Sequence, residues 1–263
     1  MAVPMIDDAL ARLRAKRPLV HNITNDVVAN YTANALLAIG ASPVMAPAEE
    51  EAEDIVAIAQ ALVVNIGTLN TPHLEGMRRA VDAANDRGVP WVFDPVACGA
   101  SAFRRDASAA LLAGKPTVIR GNASEIMALA GSSVGSKGVD SSHGSGSARE
   151  IAVQLAATLK CVVAVTGEVD YVTDGTRTVG IANGDVMLTR VTGTGCTATA
   201  LVGAFLGAGL DAFDATVAAL VSLGVAAELA RPEAKGPGSF QIALLDALAS
   251  IDDETLRQHA RIT

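Results

Sequence analysis

One loop concentrates the residue types from which phosphate chemistry is built. It is Gly193-Thr194-Gly195-Cys196-Thr197, followed at once by small apolar residues. Glycines ahead of a helix leave backbone N–H groups unpaired and pointing outward, and the helix dipole adds partial positive charge, so an anion is favoured there. The plainer reading is a tight turn with a threonine cap. The thiol of Cys196 opens further possibilities: a nucleophile, a metal ligand, a buried spacer, or a stand-in for another catalytic residue. Thiols at helix N-termini have lowered pKa values, but the sequence identifies no partner base for a covalent-thiol enzyme. The letters Gly193-x-Gly195-x-x-Ala198 also fit a dinucleotide fingerprint, yet that motif opens the first βαβ unit and this one lies in the last third of the chain. The Gly-Lys-Ser/Thr of a P-loop never occurs.

Other polar residues close apolar runs, and each has a structural alternative. Asp94 ends "PWVF". A carboxylate there could meet a metal–nucleotide complex, or could be satisfied within a turn. In "RGNASE", Asn122 and Glu125 have capping-box spacing. Arg120 weakens that reading, since a helix cap needs no guanidinium while a phosphate does. His21 alone among the histidines falls at a strand end, with no serine or cysteine elbow beside it, so a hydrolase triad is unsupported. Neither C-x-x-C nor H-E-x-x-H is present, which leaves a structural zinc site without support.

The elements that must carry these residues read as α/β. The runs "PLVHNITN", "ALVVNIGT", "VPWVFDPV", "PTVIRGN" and "CVVAVTG" suit strands buried on both faces of a parallel sheet. Helix-period stretches at Thr71–Arg87 and Ala148–Leu159 alternate with them. After Asp170, short alternating runs with Asp-Gly and Asn-Gly turns predict a hairpin. Apolar helices follow at about Cys196–Gly209 and Ala215–Ala230. In open α/β sheets, ligands collect beyond the carboxyl ends of the strands. Asn22, Thr24, Asn25, Gly67, Asp94, Arg120, Asn122, Glu125 and Thr166 therefore carry most interest. No linker divides residues 1–263, so a single domain is expected, with 131–146 as a loop.

Composition narrows the classes. Half of the 263 residues are hydrophobic but only 3% are aromatic, so Ala, Val, Leu and Ile fill the core. A net charge of −8 argues against a nucleic-acid or anionic-membrane partner, though not against a local basic pocket. The uncharged stretch Val191–Leu210 is long enough to span a bilayer. Its first eight residues are mostly Thr and Gly, and the apolar remainder has the length of a buried helix. Three widely spaced cysteines and no secretory pattern point to a reducing cytoplasm.

In sequence order, "HNITNDVVAN", "GASPVMAPAEEE", "NIGTLN", "FDPVACGAS", "RGNASEI", "VAVTGEVDYVTDG" and "VTGTGCTATA" together resemble the hydroxyethylthiazole kinases of the ribokinase-like superfamily, which act in thiamine salvage. The likeness runs from about Pro18 to Gly238. It implies a ribokinase-like fold, a central mostly parallel sheet with helices on both faces. It also implies phosphoryl transfer from ATP to the primary alcohol of 4-methyl-5-(2-hydroxyethyl)thiazole, with Mg²⁺. Carried onto these motifs, Asn25, Val27, Met45, Gly67 and Gly193 line the thiazole pocket. Arg120 and Thr166 contact ATP phosphates. Asp94 and Glu125 sit near the metal, partly through water. Gly193, Thr194 and Gly195 form the anion hole, and Cys196 takes the place of an aspartate base. An unperturbed thiol, with a pKa of about 8.5, makes a weak base at neutral pH. The resemblance further implies homotrimers with sites between subunits. Three alternatives remain: a hydroxymethylpyrimidine or pyridoxine kinase, a repair dehydratase of hydrated nicotinamide nucleotides, and a catalytically silent thiazole or nucleotide binder.

Overall fold

The runs of β-branched residues pair into one eight-stranded sheet. The computed structural model describes residues 6–133 and 145–263, and most of the Ser/Gly-rich stretch expected to be a loop lies outside them. The strands are β1 Leu19–Ile23, β2 Ser42–Met45, β3 Ala61–Asn65, β4 Trp91–Asp94, β5 Val118–Asn122, β6 Val162–Thr166, β7 Asp170–Thr173 and β8 Thr178–Ile181. Their spatial order is β2-β1-β3-β4-β5-β6-β7-β8. Pairing is parallel from β2 to β6 and antiparallel across β6–β7 and β7–β8.

Helices cover both faces. They are α1 Ala9–Lys16, α2 Ala29–Ile39, α3 Ala52–Ile58, α4 Thr71–Arg87, α5 Ala102–Leu112, α6 Ala123–Ser133, α7 Ser145–Leu159, α8 Thr194–Gly207, α9 Ala212–Ala230, α10 Pro237–Ser250 and α11 Asp253–His259. The sheet separates two apolar cores. One face packs Val63, Val92, Val118 and Ala164 against α1, α2 and α8–α10. The other packs Leu62, Val64, Trp91, Phe93, Ile119 and Val163 against α3–α7.

This alternation is what builds the site. Successive side chains on a strand point to opposite faces. On the α8 face, Val63 is followed two residues later by Asn65, Val92 by Asp94, Val118 by Arg120 and Ala164 by Thr166. Four neighbouring strands thus end in four polar side chains, each one step past the last apolar residue of the same face. The N-terminus of α8 faces that row, with Thr199 donating to Asp94 Oδ2 at 2.7 Å.

Expected elements differ from observed ones in a few places. The Asp-Gly turn does produce the β7–β8 hairpin, but Asn183-Gly184 is no second hairpin turn. Asn183 Nδ2 is taken by Glu228 Oε1 (3.2 Å) and the His259 carbonyl (2.9 Å). Asp185 then caps a 3₁₀ helix, Val186–Arg190, instead of continuing a strand. The C-terminal residues add pairing at the β8 edge, where Gly180 and Thr263 exchange backbone hydrogen bonds of 2.8 and 2.9 Å. Helix α8 starts at Thr194 and α9 at Ala212, each a turn or less earlier than the apolar pattern indicates. α9 is long and apolar enough to cross a membrane, but 78% of that window is buried inside the fold. The edge strand β2 carried no readable strand signal, since Pro43 occupies its centre.

Candidate active site

Arg120 and Asp94 form the charged centre. Asp94 is fully buried, and its Oδ2 accepts from Asn65 Nδ2 at 2.9 Å as well as from Thr199. Its Oδ1 is buried without a partner. Burial raises the carboxyl from 3.8 to about 6, with Glu125 adding repulsion, while Arg120 and the hydrogen bonds from Thr199 and Asn65 work in the opposite direction. The Arg120 guanidinium lies 3.9 Å from Asp94 Oδ2 and donates to Thr166 Oγ1 at 2.5 Å. Its Nε is buried with no acceptor. A nearly buried guanidinium with no bidentate carboxylate keeps donors in reserve for an anion.

The loop before α8 completes the anion-binding surface. Gly193 serves as N-cap with φ +88°, and no side chain caps this helix. α1, α2 and α3 also lack a side-chain cap, whereas α4, α5, α9 and α11 are capped by Asn70, Ser101, Asp211 and Asp252. The hydroxyl of Thr194 is committed to the Leu188 carbonyl at 2.9 Å, so this residue offers the site only its backbone N–H. A Cβ at Gly195 would stand 2.8 Å from Arg120 Nη1. The glycine is what lets the guanidinium lie against the helix start.

A cavity of about 760 Å³ opens from this point. Arg120, Thr166, Thr194 and Gly195 form its polar end, and Ala198, Leu188, Leu220 and Leu223 line its apolar walls. This combination suits a nucleotide, with phosphates at the helix start and a flat base between aliphatic side chains. Asn25, Val27, Met45, Gly67 and Cys196 lie outside the lining of this cavity. Three of them join through Asn65: Gly67 N–H donates to Asn65 Oδ1 at 2.9 Å, Asn25 Nδ2 donates to the same oxygen at 3.0 Å, and Asn25 Nδ2 lies 3.5 Å from Cys196 Sγ, whereas no contact among the described residues brings the Val27 or Met45 side chain to them. Val27 is 64% exposed and Met45, on the edge strand, is half-buried.

The thiol differs from the sequence expectation. A helix N-terminus should lower its pKa, yet burial and the nearby Asp94 carboxylate push Cys196 up to about 11. Desolvation disfavours the charged thiolate and outweighs the helix start. Cys98 and Cys161 are also free and buried, with both thiols pushed up by burial.

Glu125 makes the capping box that its spacing indicates. Its carboxylate accepts from Asn122 N–H at 2.8 Å and Ala97 N–H at 3.0 Å, and Asn122 Oδ1 accepts from Glu125 N–H at 3.0 Å. Among the described residues no cluster of three or more His, Cys, Asp or Glu could hold a metal alone. The orphaned Asp94 Oδ1 nevertheless suits Mg²⁺, which is commonly bound by one or two carboxylates together with substrate phosphates and water. Both oxygens of Glu125 already accept one N–H each.

Sequence reasoning missed three participants. Asn65 lies two residues before Gly67 in "NIGT", with nothing local to mark it. Thr199 sits in an apolar helix, where most fully buried hydroxyls find an acceptor, and that tendency is the available signal. Asp170, raised to about 6 by burial, accepts from Gly167 N–H at 2.9 Å and lines the cavity.

The chain matches the hydroxyethylthiazole kinase family over residues 10–254. It is 54% identical over 252 residues to hydroxyethylthiazole kinase from Granulibacter bethesdensis, covering 96% of this chain and 92% of that one. The structure of hydroxyethylthiazole kinase from Pyrococcus horikoshii superposes with a TM-score of 0.93 at 47% identity, covering 99% of both chains. The pyridoxal kinase of Staphylococcus aureus, in complex with AMP-PCP and pyridoxal, superposes with a TM-score of 0.62 at 18% identity, covering 80% of this chain and 87% of that one. The second likeness shows a shared ribokinase-like α/β fold.

Proposed function

Because the chain belongs to the hydroxyethylthiazole kinase family and is a phosphotransferase, we propose that it transfers the γ-phosphoryl group of ATP to the primary hydroxyl of 4-methyl-5-(2-hydroxyethyl)thiazole. Residues 1–263 act as a single kinase domain in thiamine salvage, in the cytoplasm. The observation that carries this reading is the junction at Arg120. There the cavity of about 760 Å³ meets the uncapped start of α8, and Cys196, Asn25 and Gly67 lie outside its lining.

In the reaction the alcohol oxygen attacks the γ-phosphorus, the bond to the β–γ bridging oxygen breaks, and ADP leaves. Such transfers depend mostly on positioning and charge neutralisation. Arg120 and the N–H groups at Gly193, Thr194 and Gly195 supply fixed positive charge for the transferring group, while Thr166 holds the guanidinium in place. Mg²⁺, held through Asp94 and through water on Glu125, would neutralise charge on the phosphates. Val27, Met45, Gly67 and Gly193 shape the thiazole side, where an apolar ring packs against the thioether of Met45. Cys196 stands beside the alcohol as a neutral thiol, raised to about 11, and takes up no proton itself; the alcohol proton leaves late, to an oxygen of the transferred phosphoryl group, which a loose transition state tolerates.

A homotrimer with sites between subunits completes the thiazole pocket. Supporting this are the exposure of Val27 (64%), Leu37 (59%) and Ile242 (66%) and the edge position of Met45. A pyridoxine or hydroxymethylpyrimidine kinase would share the phosphate machinery and differ in the ring pocket. ADP release measured with each alcohol and Mg-ATP separates these activities. Preferential turnover of pyridoxine or hydroxymethylpyrimidine would reject the thiazole assignment. Full activity of a monomer at micromolar concentration would reject shared sites.

A further inference from the structure

A chain of side-chain amides crosses the site from the metal-side carboxylate to the alcohol side. Asn65, fully buried at the end of β3, pairs in register with Asp94 on β4. Its two ends face partners of fixed polarity. The ionised Asp94 carboxylate only accepts, and Asn65 Nδ2 donates to it at 2.9 Å. The Gly67 N–H only donates, and Asn65 Oδ1 accepts from it at 2.9 Å. Asn65 therefore has one allowed amide orientation.

That orientation dictates the next one. Asn65 Oδ1 also accepts from Asn25 Nδ2 at 3.0 Å. The other N–H of Asn25 is directed to Cys196 Sγ at 3.5 Å. An amide nitrogen carries two hydrogens, so Asn25 has no donor left. No donor among the described residues reaches its Oδ1.

We infer that Asn65 is a positioning residue that fixes the Asn25 amide so that it offers a substrate only an acceptor, and that this selects ligands presenting an O–H donor. The inference rests on the kinase reading above and assigns the selectivity for an alcohol at that site. A ring nitrogen or ether oxygen, being an acceptor, finds no partner at Asn25. A hydroxyl does, and the same contact holds the reacting oxygen beside Cys196.

Isothermal calorimetry on the intact protein tests this with three probes: hydroxyethylthiazole, its 5-ethyl analogue and its 2-methoxyethyl ether. The wild-type chain should bind the alcohol about tenfold more tightly than either analogue, the worth of one well-made hydrogen bond. Asn65→Asp keeps an acceptor for Asn25 and Gly67 but replaces the amide donor 2.9 Å from Asp94 by a second buried carboxyl, so that the pair shares one proton and Asp94 loses its full charge. It should retain the alcohol preference while kcat falls. Asn65→Ala removes the acceptor, frees Asn25 to turn over, and should reduce the preference toward unity. A residue that merely supports the fold would shift both variants together, in step with their melting temperatures. Equal loss or equal retention of the preference in the two folded variants would overturn the inference. So would wild-type protein that binds the alcohol and the ethyl analogue alike, and that result would leave the kinase reading standing. Failure of wild-type protein to bind any of the three would overturn both.

Discussion

Replacing Asp94 by asparagine should stabilise the fold and destroy the activity. The carboxylate is fully buried with one oxygen unpartnered. Its pKa is raised from 3.8 to about 6, chiefly by burial. At 1.36 kcal/mol per unit, that shift corresponds to a cost of order 3 kcal/mol for keeping the group ionised in the folded chain. Between pH 3.8 and about 6 the folded state binds more protons than the unfolded state, so stability falls as pH rises through this window. Below it both states hold a neutral carboxyl, and above it the whole cost is present. An asparagine avoids that cost and can still accept from Asn65 and Thr199 through its amide oxygen. Thermal unfolding followed by circular dichroism should give Asp94→Asn a melting temperature roughly 6–12 °C above wild type at pH 7.5. The two proteins should converge near pH 4. Turnover should drop by about a hundredfold or more, because a charge that faces the phosphates is gone. A variant that melts at or below the wild-type temperature at pH 7.5 would refute the claim that burial dominates at this residue.

Substitutions at three other residues probe separate parts of the site. With its thiol pushed up to about 11, Cys196 should be improved as a base or left unchanged by Cys196→Asp. With the thiol neutral at working pH, Cys196→Ala should cost kcat less than the ~10²-fold at the low end of general-base catalysis, and a loss of that size or more in steady-state assays would show that Cys196 takes the alcohol proton. Gly195→Ala introduces a Cβ 2.8 Å from Arg120 Nη1, so kcat/KM for ATP should fall by about tenfold or more with little change in melting temperature. Leu223→Phe narrows the cavity wall and should raise KM for ATP while leaving KM for the alcohol in place; equal shifts in both would contradict the assignment of this cavity to the nucleotide.

The legible part of the molecule was the part governed by local rules. Thr71–Arg87 was readable to the residue as α4, because Asn70 caps its start and Gly88 ends it at φ +67°. The polar residues that close Val92, Val118 and Ala164 pointed to a shared strand-end site, because period-two alternation fixes the face. Glu125 with Asn122 was legible as a capping box for the same local reason. What the sequence hid depends on distant partners. Asn65 matters through Asp94 and Asn25, which lie 29 and 40 positions away. Thr199 matters through an acceptor 105 positions away. The upward shift at Cys196 arises from burial and from Asp94, whereas its local setting at a helix start argues for the opposite. The 3₁₀ helix after Gly184 depends on Glu228 and on the C-terminal residues, which hold Asn183 and Gly184 in place.

The most direct measurement takes purified protein, Mg-ATP and hydroxyethylthiazole and weighs the small-molecule products by mass spectrometry. The account predicts ADP together with a thiazole heavier by one phosphoryl group, and neither product with Arg120→Ala. ADP without phosphorylated thiazole, or phosphorylation of pyridoxine or hydroxymethylpyrimidine in its place, would contradict it.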